Sequence, residues 1–356
     1  QGEQGEGGTQ GAGHWGLRGK GGRNVGLGPG LTPSAVRSGT IGSEAGVGLN
    51  ERYEDRGLLG RGAMGEVRSV WDRVFRRTVA MKIMAPHVAA RPPLVRRFVA
   101  EAQVTAQLQH RGIVPVYDRG ELPDGRLFYT MKRVEGRDLA VVIQLVHGAV
   151  SPPPGEPTWT RRRLVDAFLD VCLAVAHAHA AGVVHRDLKP ANIMVGRGGE
   201  VLVLDWGIAK VRGVEDGEGV QLDPEDLADT RVGAIVGTPA YMSPEQARGE
   251  QDKLDARSDV YALGSILYEV LAGRRAFAGK PHDALERVRA GRHERLGPAA
   301  AATTLTPFVS GETAMPTINA LPETLSGAAG AGVPVALAMA CDRAMAAVRE
   351  QRFPDA

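Results

Sequence analysis

The sequence predicts an α+β protein of two lobes, the first strand-rich and the second helical. Three observations predict it. Tyr53 to Met131 reads as short strands interrupted by one amphipathic helix, and after Asp138 the apolar residues recur at helical spacing. Between two such patterns stands His185-Arg186-Asp187-Leu188-Lys189-Pro190-Ala191-Asn192, a polar turn preceded by the apolar pair Val183-Val184. The expected organisation is a disordered glycine-rich segment over 1–50, a first lobe over 51–134, and a second lobe over 135–356 with a loop insertion at 296–332.

Composition narrows the class. With 356 residues, 43% of them apolar, the chain can build a sizeable core. A formal charge of +2 and the lack of a Lys/Arg stripe with interleaved aromatics speak against nucleic-acid binding. Cys172 and Cys341 are far apart and both lie in apolar helical patterns, which argues against a disulfide framework or a cysteine metal site and fits a reducing compartment. No apolar run reaches the roughly 18 to 20 residues that cross a bilayer, and no charged-then-apolar signal opens the chain. A soluble cytoplasmic chain is expected. The start at Gln rather than Met fits a fragment or a processed end.

Gln1 to about Asn50 is about one-third glycine, without period 2 or 3.6, and cannot bury enough surface to offset its ordering entropy. From Tyr53 to Val70 the pattern is two strands joined by Leu59-Gly60-Arg61-Gly62-Ala63-Met64-Gly65-Glu66-Val67. Gly60, Gly62 and Gly65 let a backbone approach a polyphosphate closely. The same spacing could mark a dinucleotide turn, but that turn should open a helix directly. Here Val67 to Trp71 continues as strand, and Thr78 to Met84, another strand, carries Lys82. Pro93 to Gln109 has a helical stripe of Leu94, Phe98, Ala102, Thr105 and Leu108, with Glu101 close to that inner face. A carboxylate so placed needs a partner, and Lys82 is the available one. Ile113 to Tyr117 and Leu127 to Met131 read as strands around the turn Leu122-Pro123-Asp124-Gly125. Val134-Glu135-Gly136 leads out.

In the second lobe Ser151 to Pro157 is an expected loop, and Arg162 to Ala181 a long helix ended by Gly182. His177 and His179, two apart, fall on different helix faces and read as structural rather than metal-binding. The polar turn then supplies a candidate base (Asp187), a cation (Lys189) and a hard oxygen ligand (Asn192), the parts that phosphoryl transfer needs. Ile193 to Val195 and Val201 to Leu204 form a short hairpin ending in Asp205, which adds a second metal ligand. Lys210 to Val236 is long, acidic and expected to be mobile, with Thr230 its only hydroxyl-bearing side chain. Asp255 to Leu271 reads as a buried central helix, Arg274 to Glu294 as surface helix and loop, and Val335 to Arg349 as the last helix.

Together these motifs resemble the eukaryotic-like (Hanks-type) serine/threonine protein kinases, in particular their bacterial branch, over roughly Tyr53 to Ala356. Gly237-Thr238-Pro239-Ala240-Tyr241-Met242-Ser243-Pro244-Glu245 is the most specific stretch. The resemblance implies a bilobal fold with ATP and Mg2+ in the cleft. Leu59, Val67, Ala80 and Met194 would sandwich the adenine, with Met131 at the back of the pocket. Lys82, kept in place by Glu101, would hold the α- and β-phosphates, Asn192 and Asp205 the magnesium, and Asp187 would receive the acceptor proton. Lys189 and Thr238 match the pair that marks Ser/Thr specificity. Glu245 would pair with Arg352, Asp259 would brace the catalytic turn, His185 would pack behind the metal-binding strand, and Trp206 would fill the place of the usual Phe. Arg186 beside Asp187 implies control by activation-loop phosphorylation, with Thr230 as acceptor. The expected partners are protein substrates and a second copy of the chain for autophosphorylation. A nucleotide-binding scaffold without transfer, or the cytosolic half of a membrane-anchored receptor, are the competing plans.

Overall fold

Alternation along the strands decides which side chains face which layer. The computed structural model describes residues 51–151, 158–206, 210–211, 238–296 and 333–356. The 1–50 segment, most of the Ser151–Pro157 loop, Thr230, Gly237 and 297–332 lie outside the described residues. β1 (Tyr53–Gly62), β2 (Gly65–Asp72), β3 (Arg77–Met84), β4 (Val116–Glu121) and β5 (Leu127–Met131) form an antiparallel sheet of order β1-β2-β3-β5-β4. Val79, Met81 and Ile83 of β3 join a core with Tyr53, Val70 and Phe128 on one face. The alternate residues Ala80, Lys82 and Met84 therefore face the other way, where Met84 packs with Phe98 and Ala102. Those two belong to α2 (Pro92–Gln107), which follows the short helix α1 (Pro86–Ala89) and starts on prolines suited to a first turn.

The remainder is mainly helical. β6 (Gly136–Asp138) pairs with β8 (Ile193–Gly196), and β8 with β9 (Val201–Val203). α3 (Leu139–Val146) starts at Asp138, whose carboxylate accepts from Val141 N. α4 (Arg161–Ala180) starts at Thr160 in the same way and is stopped where Gly182 takes φ 77°. β7 (Val183–Val184) follows it and pairs with β10 (Lys210–Val211). α5 (Pro244–Ala247) is held by a reciprocal Ser243–Gln246 cap. α6 (Ala256–Ala272) runs from the Asp255 cap to Gly273 at φ 69° and is buried at every position from Ser258 to Leu271. A helix buried on every side belongs at the centre of a core. α7 (Pro281–Arg289) and α8 (Val335–Ala344) complete the described chain. Gly264 lets α6 and α8 approach, since a Cβ there would sit 2.8 Å from that of Ala344.

Four expectations shift. The strand expected at Ile113 to Tyr117 begins instead at Val116, because Ile113 bridges to Val203 and Pro115 has no amide to donate. The exit at Gly136 becomes β6. The last helix ends at Ala344 rather than Arg349, and the carbonyls of Ala346 and Ala347 accept from Arg352 instead of continuing it. Lys210 and Val211, expected in a mobile stretch, form β10.

Candidate active site

Period-two geometry brings Lys82 to the face that α2 covers. It stands opposite Val67 on β2 and Tyr129 on β5. Glu101, one turn after Arg97 and Phe98 on α2, is buried at 2% exposure and forms a salt bridge with the Lys82 ammonium through Oε1. The Tyr129 hydroxyl donates to the same oxygen at 2.5 Å. Lys82 also reaches Asp205 Oδ1 at 3.3 Å. Burial alone would lower the ammonium pKa, but the charges of Glu101 and Asp205 outweigh it and raise it. Partial desolvation pushes Asp205, whose side chain is 45% exposed, up, and the Lys82 charge brings it below the ordinary range. Lys82 and Asp205 are thus both charged at neutral pH.

The turn between β7 and β8 is closed by its own side chains. Lys189 Nζ lies 2.6 Å from Asp187 Oδ2, and Asn192 Nδ2 donates to Asp187 O at 2.9 Å and to Oδ2 at 3.3 Å. With its amide nitrogen so engaged, Asn192 keeps its side-chain oxygen as the remaining acceptor. Leu204 N donates to Asn192 O at 2.8 Å, which ties the strand leading to Asp205 to this turn. Among the described residues no group of three or more His, Cys, Asp or Glu side chains could hold a metal. An amide oxygen plus one carboxylate is a sparse, hard donor set, which fits magnesium because that ion keeps several waters.

Arg186 (φ 69°) and Asp205 (φ 64°) occupy the left-handed region, at a cost on the order of 1–3 kcal/mol each. Asp259 on α6 holds the first of them: its carboxylate accepts from His185 N at 2.7 Å, Arg186 N at 2.8 Å and His179 Nε2 at 2.9 Å. Burial pushes this carboxyl up, and the hydrogen bond from His179 with its companions brings it below the ordinary value. The histidine tautomers follow from their neighbours. Asp187 N can only donate to His185 Nδ1, so the His185 proton is on Nε2 and is donated to Leu204 O at 3.1 Å. Ala356 N donates to His179 Nδ1, which leaves Nε2 to donate to Asp259. His185 is fully buried and packs against the buried Trp206, with ring centroids 4.6 Å apart and planes tilted by 50°.

Of the residues expected around a base, Ala80 is buried opposite Met131, Val67 and Met194 are half-buried, and Leu59 is 49% exposed. Glu245 and Arg352 meet in a two-pronged pair at 2.7 and 3.0 Å. Lys189 and Thr238 are not joined by a hydrogen bond: Lys189 bonds Asp187, and Thr238 O accepts from Tyr241 N. Sequence reading missed Tyr129 and Arg97, and it took His179 as structural without naming its partner Asp259. Arg97 is half-buried, and burial lowers its pKa against the opposing charges of Glu101, Asp205 and Asp187. Its spacing of four from Glu101 was the available signal; the Tyr129 and His179 contacts leave none. A separate groove of about 390 Å3, lined by Leu108, His110, Arg111, Ile113, Lys132 and Leu202 among others, contains none of these groups.

Comparison with known proteins identifies a family. Residues 53–306 match the protein kinase domain. The chain is 41% identical over 234 residues to serine/threonine-protein kinase PknB of Mycolicibacterium smegmatis, covering 65% of this chain and 34% of the relative. It is 39% identical over 235 residues to a probable serine/threonine-protein kinase of Corynebacterium efficiens, covering 65% and 32%. With serine/threonine-protein kinase PknD of Protochlamydia amoebophila it shares 38% over 228 residues, covering 62% and 23%. The chain thus matches about a third of the length of such relatives, or less.

Proposed function

The chain belongs to the protein kinase family, and from that premise we propose that it transfers the γ-phosphate of ATP to serine or threonine hydroxyls of proteins, as a non-specific serine/threonine protein kinase. One observation carries the reading. Lys82, Glu101 and Asp205, from three separate elements, converge next to a turn whose Asp187, Lys189 and Asn192 are already bonded to one another.

Lys82 binds the α- and β-phosphates, and Glu101, itself fixed by Tyr129, keeps the ammonium in place. The base lies among Leu59, Val67, Ala80, Met131 and Met194. Asp187 orients the acceptor hydroxyl and takes its proton as the oxygen bonds to phosphorus and ADP departs. Lys189 offsets charge on the moving phosphoryl group. Asn192 and Asp205 would hold magnesium, which when bound neutralises phosphate oxygens. Thr238 and Lys189 together favour Ser/Thr acceptors. Thr230 is the regulatory acceptor, phosphorylated by a second copy of the chain. Support for that comes from Arg186 and Arg97, half-buried cations close enough for each to bear on the other's charge. Among the described residues no helix is long and apolar enough to cross a membrane. We place the domain on the cytoplasmic side, as a free protein or the cytosolic part of a membrane-anchored one.

Incubation with labelled ATP and magnesium, followed by phosphosite mapping, tests the proposal. Label should appear on Ser and Thr, including Thr230, and Lys82→Met should lower the rate by about 100-fold or more. Nucleotide binding without transfer by the unaltered chain would assign it to the scaffold class instead. Full activity with Thr230 unmodified would remove the regulatory role.

A further inference from the structure

The glycine hairpin is open on one arm and fastened at its tip. A Cβ at Gly60 or Gly62 would meet nothing within 4 Å, so the β1 arm borders free space. Across the turn the situation reverses. A Cβ at Gly65 would lie 2.0 Å from the Ile83 carbonyl oxygen, so here glycine serves the close packing of β2 on β3. Met64 O accepts from Ala85 N at 3.0 Å, and the Met64 side chain packs on the cluster of Met84, Val88 and Phe98. His87 Nε2 lies 3.1 Å from Ala63 O, and since a carbonyl oxygen can only accept, His87 is the donor.

His87 has no role in the core, because it is solvent-exposed on α1. Its position matters for another reason. α1 ends at Ala89, and three residues later α2 begins and carries Glu101. The Ala63-Met64 tip is therefore fastened to the same segment that leads into the helix holding Lys82. We propose that His87 is a positioning residue: together with the Ala85 amide it tethers the tip of the phosphate-covering hairpin, so that hairpin and α2 move as one unit. A loop held near its working place loses less freedom when a nucleotide binds, and binding is tighter by that difference. The inference rests on reading the cleft as a nucleotide site.

Three forms of the full chain decide it: unaltered, His87→Ala and His87→Gln, the last with an amide nitrogen at about the reach of Nε2. In nucleotide-free protein, amide hydrogen exchange over 62–66 should speed up about three- to tenfold in His87→Ala, with melting temperature unchanged because the side chain is exposed. The MgADP dissociation constant and the ATP KM should rise by about three- to tenfold while kcat stays within about twofold. His87→Gln should restore exchange and affinity towards the unaltered values. Unchanged exchange and affinity in His87→Ala would overturn the tether, as would a His87→Gln form no better than His87→Ala. If the unaltered chain binds no MgADP, the proposed function fails, and the exchange comparison still decides whether the tip is tethered.

Discussion

Replacing Arg352 with alanine should remove several kcal/mol of stability, and the structure says why. Its guanidinium has five N–H donors, and each has an acceptor. Nε donates to Ala346 O at 2.7 Å, Nη1 to Glu245 Oε1 at 2.7 Å and Arg257 O at 3.1 Å, and Nη2 to Glu245 Oε2 at 3.0 Å and Ala347 O at 3.4 Å. The group also lies over the Tyr261 ring at 4.9 Å. Without it, Glu245 is a buried carboxylate left with the Ser258 hydroxyl at 3.0 Å. Removing one partner of such a pair costs about 3–5 kcal/mol. At about 2–4 °C per kcal/mol for a domain of this size, the melting temperature should fall by roughly 6–20 °C. A pH series gives the second check. Burial pushes the Glu245 carboxyl up, but the Arg352 hydrogen bonds and charge outweigh it and hold it below its ordinary value. A depressed carboxyl contributes stability above the unfolded value and loses it as pH falls through the folded value. Arg352→Ala leaves burial to hold Glu245 up, so the gap between the two proteins should be widest towards neutral pH, narrow as acid protonates the variant's carboxyl, and be least once pH falls below the depressed value of the unaltered chain. Glu245→Met with Arg352→Met should recover much of the loss, since an apolar pair leaves no charge stranded. A melting temperature within a degree of the unaltered chain, or a gap independent of pH, would refute the reasoning.

Gly65→Ala should destabilise by about 3 kcal/mol, the upper part of the overpacking range, because the new methyl meets the Ile83 backbone rather than a side chain that can turn away. Denaturant unfolding measures it, and a cost under 1 kcal/mol would mean that β2 and β3 separate easily. Asp259→Asn turns an NH2 towards amide or imidazole donors that now share one carboxylate. Arg186 should relax from its left-handed conformation, with turnover down tenfold or more at about 1–3 kcal/mol of stability; MgADP affinity should hold, since Asp259 lies behind the turn, and unimpaired turnover would exclude the bracing role.

Legibility in the sequence followed distance along the chain. Asp187, Lys189 and Asn192 fall within one turn, and their bonds to one another are a local matter that residue types and spacing foretell. The helices were readable from apolar spacing and, for α4, from its stop at Gly182, whereas the caps Asp138, Thr160 and Asp255 are findings of the structure. β4 was misplaced because apolar Ile113 and Val114 look like strand residues, whereas their backbone is taken up by the distant β9.

By itself, then, the sequence determined the order of elements, the α+β class and the identity of the groups in the polar turn, because backbone propensity and short-range hydrogen bonding act over a few residues. Residue types and the family resemblance paired Glu101 with Lys82, Asp259 with the catalytic turn and Arg352 with Glu245, partners 19, 74 and 107 positions apart; only the tertiary structure showed the atoms through which they meet, and that Asp205, 123 positions away, also reaches Lys82. It also decided which nitrogen of His185 and His179 carries the proton, and that His87 reaches the hairpin tip. Such contacts depend on how packed layers bring surfaces together. Spacing along the chain can suggest candidates for such contacts, but it does not carry their geometry.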